Sequence, residues 1–297
     1  MENLTHDIRV RKPKWLRRRL PAGPAYEGVC RMIASKNLHT VCQEAKCPNV
    51  WECFAKHTAT FMILGDRCTR NCKFCGVKHG PIGLPDPEEP VRVASGVKEL
   101  GLKYVTITSV TRDDLEDGGA KLFVSTINEI RKVSPGTRVE VLIPDFQENK
   151  EALWKVATAR PDVLNHNIET VPRLYVKARP QADYKRSLLV LFLARKIDDR
   201  IVTKSGLMLG LGESEEELLQ TMKDLLKAGC RILTLGQYLQ PSKDQLPVER
   251  FVEPEEFEKW RKIGLEMGFA EVASGPFVRS SYNAGEIFES LMEEKYI

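Results

Sequence analysis

Thr60-Phe-Met-Ile-Leu64 is a short apolar run closed by Gly65, and it leads directly into Cys68-Thr-Arg-Asn-Cys72-Lys-Phe-Cys75. An apolar segment of that length, ended by glycine, reads as a buried strand. The three thiols after it stand where parallel α/β folds collect their chemistry, beyond the C-terminal end of a strand.

Downstream, strands and amphipathic segments alternate. Val91–Leu100 predicts a helix closed by Gly101, Lys103–Ser109 a strand, Lys121–Val133 a helix, and Thr137–Ile143 a strand stopped by Pro144. A helix over Lys150–Ala159 and a strand over Asp162–Asn165 follow, then helices near Pro172–Ala178 and Tyr184–Lys196. Ile201–Leu209 predicts a strand ending in Gly210-Leu-Gly212. Ser214 opens a helix with Glu217 at the capping-box position. Arg231–Leu235 and Glu255–Met267 close the series. Repeated alternation implies a parallel sheet with right-handed crossovers. About six repeats fall short of the eight of a closed barrel. The expected fold is α/β, a partial (β/α)6 TIM-like barrel over residues 58–270, with an N-terminal extension over 1–57 and a C-terminal one over 271–297.

The N-terminal extension shows little periodicity. It holds the other cysteine run, first in chain order, Cys42-x4-Cys47-x5-Cys53, so six of the eight cysteines lie between Cys42 and Cys75. Three closely spaced thiolates cradle a metal or an iron–sulfur centre. Zinc is the alternative for the Cys68–Cys75 run, with His57 or His79 as a fourth ligand. Cys30 and Cys230 read as small buried hydrophobes.

With 297 residues, 42% hydrophobic and 29% charged, the composition is that of a globular protein able to bury a large core. Lys and Arg outnumber Asp and Glu 45 to 41, a formal charge of +4 that does not single out nucleic acid as a partner. Seven of the eleven residues from Arg9 to Arg19 are basic, either a docking arm for an acidic partner or a solvated terminus. No stretch approaches the ~20 apolar residues of a membrane span. Met1–Val10 lacks the apolar core of a secretory signal. The expectation is therefore a cytoplasmic protein with no membrane partner and with reduced thiols serving as ligands.

Cys68-x3-Cys72-x-aromatic-Cys75, with Phe74 at the aromatic position, resembles the signature of the radical S-adenosylmethionine (SAM) enzymes. Gly206-Leu-Met208-Leu-Gly210-Leu-Gly-Glu213 resembles their fifth-strand motif. At the end of the second strand Thr108-Ser109-Val110 replaces the Gly-Gly-Glu of many members. The resemblance implies that Cys68, Cys72 and Cys75 hold three irons of a 4Fe–4S cluster, leaving the fourth iron to chelate SAM. Phe74, Thr108, Ser109, Gly206, Met208 and Gly210 would line the SAM site. Reductive cleavage of SAM would yield a 5′-deoxyadenosyl radical.

Together the two runs resemble the lipoyl synthase family, and so does Arg279-Ser-Ser-Tyr282-Asn-Ala284. Thr111–Gly119, Asn165–Thr170 and Gly236–Ser242 are similar too. The likeness runs from about Lys12 to Ala284. It implies a second 4Fe–4S cluster held by Cys42, Cys47, Cys53 and Ser281, whose sulfides are donated at C6 and C8 of a protein-bound octanoyl chain. Serine oxygen is a harder ligand than thiolate and suits an iron that must be released. The partners implied are octanoylated lipoyl-carrier domains (2-oxoacid dehydrogenase E2 subunits and the glycine cleavage H protein), a ferredoxin or flavodoxin reductant, and an iron–sulfur cluster assembly protein. The competing readings are another radical sulfur inserter, similar to biotin synthase or a methylthiotransferase, and a zinc-stabilised nucleic-acid-binding module. Arg112, Arg186 and Lys204 are candidates to hold the SAM carboxylate. His166 reads as a structural histidine.

Overall fold

The computed structural model describes residues 12–17, 23–80 and 82–294. Residues 9–11 and 18–19 of the basic arm lie outside these, as do Pro21 and Ala22 of the turn-forming segment. The extension that shows little periodicity in sequence is ordered into α1 (Pro24–Ser35), β1 (His39–Thr40), α2 (Val41–Glu44) and α3 (Val50–Ala55). Pro24 stands in the first turn of α1, where a missing N–H costs nothing, and Val29, Met32 and Ile33 form its buried face. Then come β2 (Thr60–Ile63), the short pair β3 (Arg67–Cys68) and β4 (Lys78–His79), and α4 (Glu89–Glu99). The alternation continues through β5 (Tyr104–Ser109), α5 (Ala120–Val133), β6 (Arg138–Leu142), α6 (Lys150–Thr158), β7 (Val163–Asn165), α7 (Tyr175–Ala178) and α8 (Tyr184–Ile197). It ends with β8 (Val202–Leu209), α9 (Glu215–Lys227), β9 (Ile232–Gln237), α10 (Pro254–Met267), β10 (Glu271–Gly275) and α11 (Ala284–Glu294).

The main sheet runs β1-β2-β5-β6-β7-β8-β9-β10. β1 is antiparallel to β2, and every other pairing is parallel. This is the expected partial barrel of six strand–helix units. A seventh parallel strand, β10, joins it in register with β9 from Glu271↔Ile232 to Gly275↔Gly236. Glu271–Gly275 carries a single large apolar residue, Val272, and falls in the stretch read as C-terminal extension. α9 starts as its capping box predicts: Ser214 Oγ accepts from Glu217 N, and the Glu217 side chain accepts from Ser214 N.

Four successive strands contribute to one buried polar network. Glu140 of β6 accepts from Tyr104 of β5 (2.6 Å), Asn165 of β7 (2.8 Å) and Lys204 Nζ of β8 (3.0 Å). Lys204 is 1% exposed and Glu140 fully buried. Below it α11 packs Phe288 and Leu291 against Val163, Val202 and Ile232, the first residues of β7, β8 and β9. The C-terminal helix thus floors the barrel, leaving the strand C-termini as the open end.

Breaking one side of a buried ion pair strands the other charge. Lys204→Met is expected to lower stability by about 3 kcal/mol in urea unfolding. The double change with Glu140→Leu is expected to cost less than Lys204→Met alone.

Candidate functional site

The chain leaves β2 through a left-handed turn, with Leu64 at φ 71° and Gly65 at φ 89°. The buried Glu89 carboxylate of α4 secures it by accepting from Leu64 N at 2.8 Å. The thiol-bearing loop is then pinned on several sides. Thr69 N donates to Thr111 O (3.0 Å), Lys73 N to Ala178 O (2.8 Å) and Leu246 N to Lys73 O (2.8 Å). Backbone N–H groups of Arg70 and Thr111 donate to Cys68 Sγ at 3.4 and 3.3 Å. The Arg70 guanidinium anchors the loop from behind, donating at 2.6–3.0 Å to both Asp113 and Asp145. Through that ion pair Asp145 is held down at about 2 although it is buried.

Burial raises the Cys72 thiol and pushes Cys75 up to about 12, with the other thiols of the run adding to both. Buried Arg179 pulls the other way on Cys72. In the first run burial lifts Cys42 to about 11 and Cys53 to about 12; Cys47 raises Cys42, and both Cys42 and Cys47 raise Cys53. The thiols of each run are thus electrostatic neighbours. Among the described residues no three His, Cys, Asp or Glu side chains stand already converged on a metal position.

The two runs abut. A Cβ at Gly76, next to Cys75, would lie 3.1 Å from Pro241 Cβ and 3.2 Å from the carbonyl oxygen of Ala45, which lies between Cys42 and Cys47. The C-terminal tail joins the first run. Asn49 Nδ2 donates to Phe277 O (2.7 Å), the Tyr282 hydroxyl to Glu52 Oε1 (3.0 Å), and Thr60 Oγ1 to Ser281 Oγ (2.8 Å). Thr60 also hydrogen-bonds Cys42. Cys53, Thr60 and Ser281 line one cavity of about 320 Å³.

At the open end Phe74 and Met208 pack against Val171, Leu174, Leu211 and Tyr238. Gly206 lies against Asn167 and Ser280, and a Cβ there would come within 2.9 and 3.0 Å of their side-chain oxygens. Gly210 (φ 96°) and Gly212 (φ 103°) need left-handed backbone, in a turn that Glu213 ties by accepting from Gly210 N and Leu211 N. Thr108 is buried and donates to Leu142 O at 3.1 Å. Ser109 Oγ, His166 Nε2 and Arg179 Nε are buried without a partner. His166, fully buried and bonded through Nδ1 to Ile143 O, is driven down to about 4 and is neutral at pH 7. Arg112, Arg186 and Lys204 are committed internally, to Asp114, Asp145 and Glu140. Arg179 and Thr60 carry no sequence signal that would mark them; both matter through partners far along the chain.

Residues 62–225 match the family model described as the radical SAM superfamily, and the chain belongs to that superfamily. Residues 2–47 match the N-terminal domain of lipoyl synthase. A lipoyl synthase of Desulfotalea psychrophila is 59% identical over 281 residues, 95% of this chain and 94% of that protein. One of Caldicellulosiruptor saccharolyticus is 54% identical over 279 residues, 94% of this chain and 98% of that protein. Within the superfamily, then, the chain is a member of the lipoyl synthase family. Its fold is shared with the FeFe-hydrogenase maturase HydG (TM-score 0.57, 17% identity, 90% of this chain and 67% of that one). Methylornithine synthase is similar in fold as well (TM-score 0.53, 16% identity, 79% and 68%). Membership brings a 4Fe–4S cluster and SAM. The soft donors of Cys68, Cys72 and Cys75, with N–H groups aimed at Cys68 Sγ, fit the cluster. The unpartnered Ser109 Oγ and Arg179 Nε fit a polar ligand beside it. Among the described residues no helix is long and apolar enough to cross a membrane.

Gly236 packs so closely on the tail that a Cβ would overlap the Val278 carbonyl oxygen. Gly236→Ala is expected to displace residues 276–283, making them sensitive to limited proteolysis while far-UV circular dichroism is unchanged.

Proposed function

We infer that this chain inserts two sulfur atoms, at C6 and C8, into an octanoyl chain carried on a protein lysine, giving the lipoyl group. The observation that carries the reading is the junction of tail and first cysteine run, where Ser281 is joined through Thr60 to Cys42. It stands in a chain whose match extends over 94% and 98% of the lipoyl synthases of Desulfotalea psychrophila and Caldicellulosiruptor saccharolyticus. Cys68, Cys72 and Cys75 would hold the radical cluster, and Cys42, Cys47, Cys53 and Ser281 an auxiliary one that donates the sulfur. When bound, the first cluster and SAM supply a hydrogen-abstracting carbon radical. The chain's residues do the rest. Arg70, fixed by Asp113 and Asp145, holds the cysteine loop in place. Phe74, Met208 and the Gly206–Gly210 strand end shape the apolar wall of the SAM site, and Thr108 and Ser109 its polar edge. Arg179 supplies buried positive charge beside Cys72.

The substrate class is a lipoyl-carrier protein; E2 subunits of 2-oxoacid dehydrogenases and the glycine cleavage H protein are the forms proposed. A ferredoxin or flavodoxin would deliver electrons, and a cluster assembly protein would rebuild the spent centre, in the cytoplasm. Residues 1–57 and 271–297 would act together as the auxiliary-cluster module, and 58–270 as the radical barrel. Juxtaposition of the runs through Gly76 and Ala45 supports placing donor and radical centre side by side.

Anaerobic loading is expected to give about eight irons per chain, two 4Fe–4S clusters. Replacing Cys42, Cys47 and Cys53 together by Ala should leave about four irons and SAM cleavage intact while abolishing the dithiolated product. Dithiolated product from that variant would refute the donor assignment.

A further inference from the structure

Ser281 is an unusual ligand, a hard oxygen donor carried on a C-terminal tail, so its place beside the Cys42–Cys53 run has to be set by a neighbour. One side chain is placed to set it. Thr60 Oγ1 donates to Ser281 Oγ at 2.8 Å, the ordinary length of an O–H···O bond. Thr60 is 5% exposed, and its backbone is fixed by the pairing of β2 with β5, Thr60 opposite Thr106. The donor therefore sits on the rigid sheet, whereas the acceptor sits on a tail 221 residues away in sequence. Thr60 also contacts Cys42 through its backbone N–H and its side chain. A threonine hydroxyl has a single proton to give. That proton is directed at Ser281 Oγ, while Cys42 takes the N–H and shares the hydroxyl.

We propose that Thr60 is the positioning residue of the auxiliary centre: its hydroxyl, held on the sheet, fixes the Ser281 side chain toward the iron. The proposal rests on the reading that Ser281 is the fourth ligand, and extends it to a residue that touches no iron. Groups that hydrogen-bond to metal ligands set ligand orientation and basicity, and their loss costs 10–100-fold in affinity. Val is the matching replacement, since it keeps the β-branch that suits a strand and removes only the hydroxyl.

The test uses the full chain loaded anaerobically with both clusters, comparing the native protein with Thr60→Val, Thr60→Ser, Ser281→Ala and the Thr60→Val/Ser281→Ala double variant. Two quantities are read: the rate at which a ferrous chelator strips the auxiliary iron, and the Mössbauer signature of the oxygen-ligated site. Thr60→Val is expected to lose that iron about tenfold faster and to weaken the oxygen-ligated signature. Thr60→Ser is expected to behave as native, and Thr60→Val to add nothing once Ser281 is Ala. Thr60→Ala, which also removes the hydroxyl and adds no bulk, takes its place if circular dichroism shows that Thr60→Val does not fold. Native chelation and spectra in Thr60→Val, while Ser281→Ala alters both, would overturn the role of Thr60 alone. An effect of Thr60→Val that persists undiminished without Ser281 would overturn it too, assigning the residue to Cys42. If Ser281→Ala itself matches the native protein, the ligand assignment falls first, and the inference falls with it.

Discussion

An open parallel sheet has an uncovered first strand, and covering that edge is the constraint from which the arrangement of this molecule follows. An exposed strand edge presents unpaired N–H and C=O groups and invites association. Here β1, only His39 and Thr40, lies antiparallel on β2 with His39 opposite Met62 and Thr40 opposite Phe61. Thr40 then caps α2 by accepting from Gln43 N, and Cys42 falls in the first turn of that helix. The segment that seals the edge is therefore the segment that delivers the first thiol. Sealing and ligand placement are one structural act, and they bring Ala45 against Gly76 of the other run.

Gathering six thiols in one region carries an electrostatic cost that the surroundings reflect. Burial above all, with neighbouring thiols pushing the same way, holds Cys42, Cys53 and Cys75 protonated, at about 11 to 12. Ligation requires thiolate, so cluster binding must release those protons and supply the compensating charge. On the radical side the chain provides part of it in advance. Arg179 lies buried near Cys72, and Arg70 lies behind the same loop, locked by Asp113 and Asp145 so that it cannot swing away. Glu169, raised by its own burial, adds a carboxyl that Arg179 and Arg279 both face. Fixed charges held by a rigid barrel need no reorganisation when the anionic partners arrive.

How much of this the sequence displays depends on the range of the interaction. The strand–helix alternation was legible because each unit writes its own period. Ser214 with Glu217, and Gly210 with Gly212, signal a cap and a turn within a few residues. The thiols announce themselves by spacing. Order in the N-terminal extension was harder to see: Gly28 interrupts α1, and α2 and α3 span four and six residues. β10 was missed because its role is defined by register with β9, which local pattern does not encode. The basic residues misled for the same reason. Lys204 and Arg186 look like free cations until Glu140 and Asp145, distant along the chain, are seen to hold them.

Range also explains why the two proposed centres occupy different kinds of scaffold. The loop carrying Cys68, Cys72 and Cys75 issues from a barrel strand and is stapled to loops on either side of it. Such a site keeps its shape through repeated turnover. The other proposed centre would draw its ligands from two segments outside the strand–helix repeat, joined by side-chain bonds such as Asn49 to Phe277 and Tyr282 to Glu52. Parts of a protein attached in this way open at lower free energy than its core strands. A cluster consumed as a reagent would have to be dismantled and rebuilt without unfolding the barrel, and the proposed tail-borne oxygen ligand would meet that requirement. Within the tail, Tyr282 N donating to Arg279 O closes a turn around Ser281, and the sheet reaches its hydroxyl from the first residue of β2.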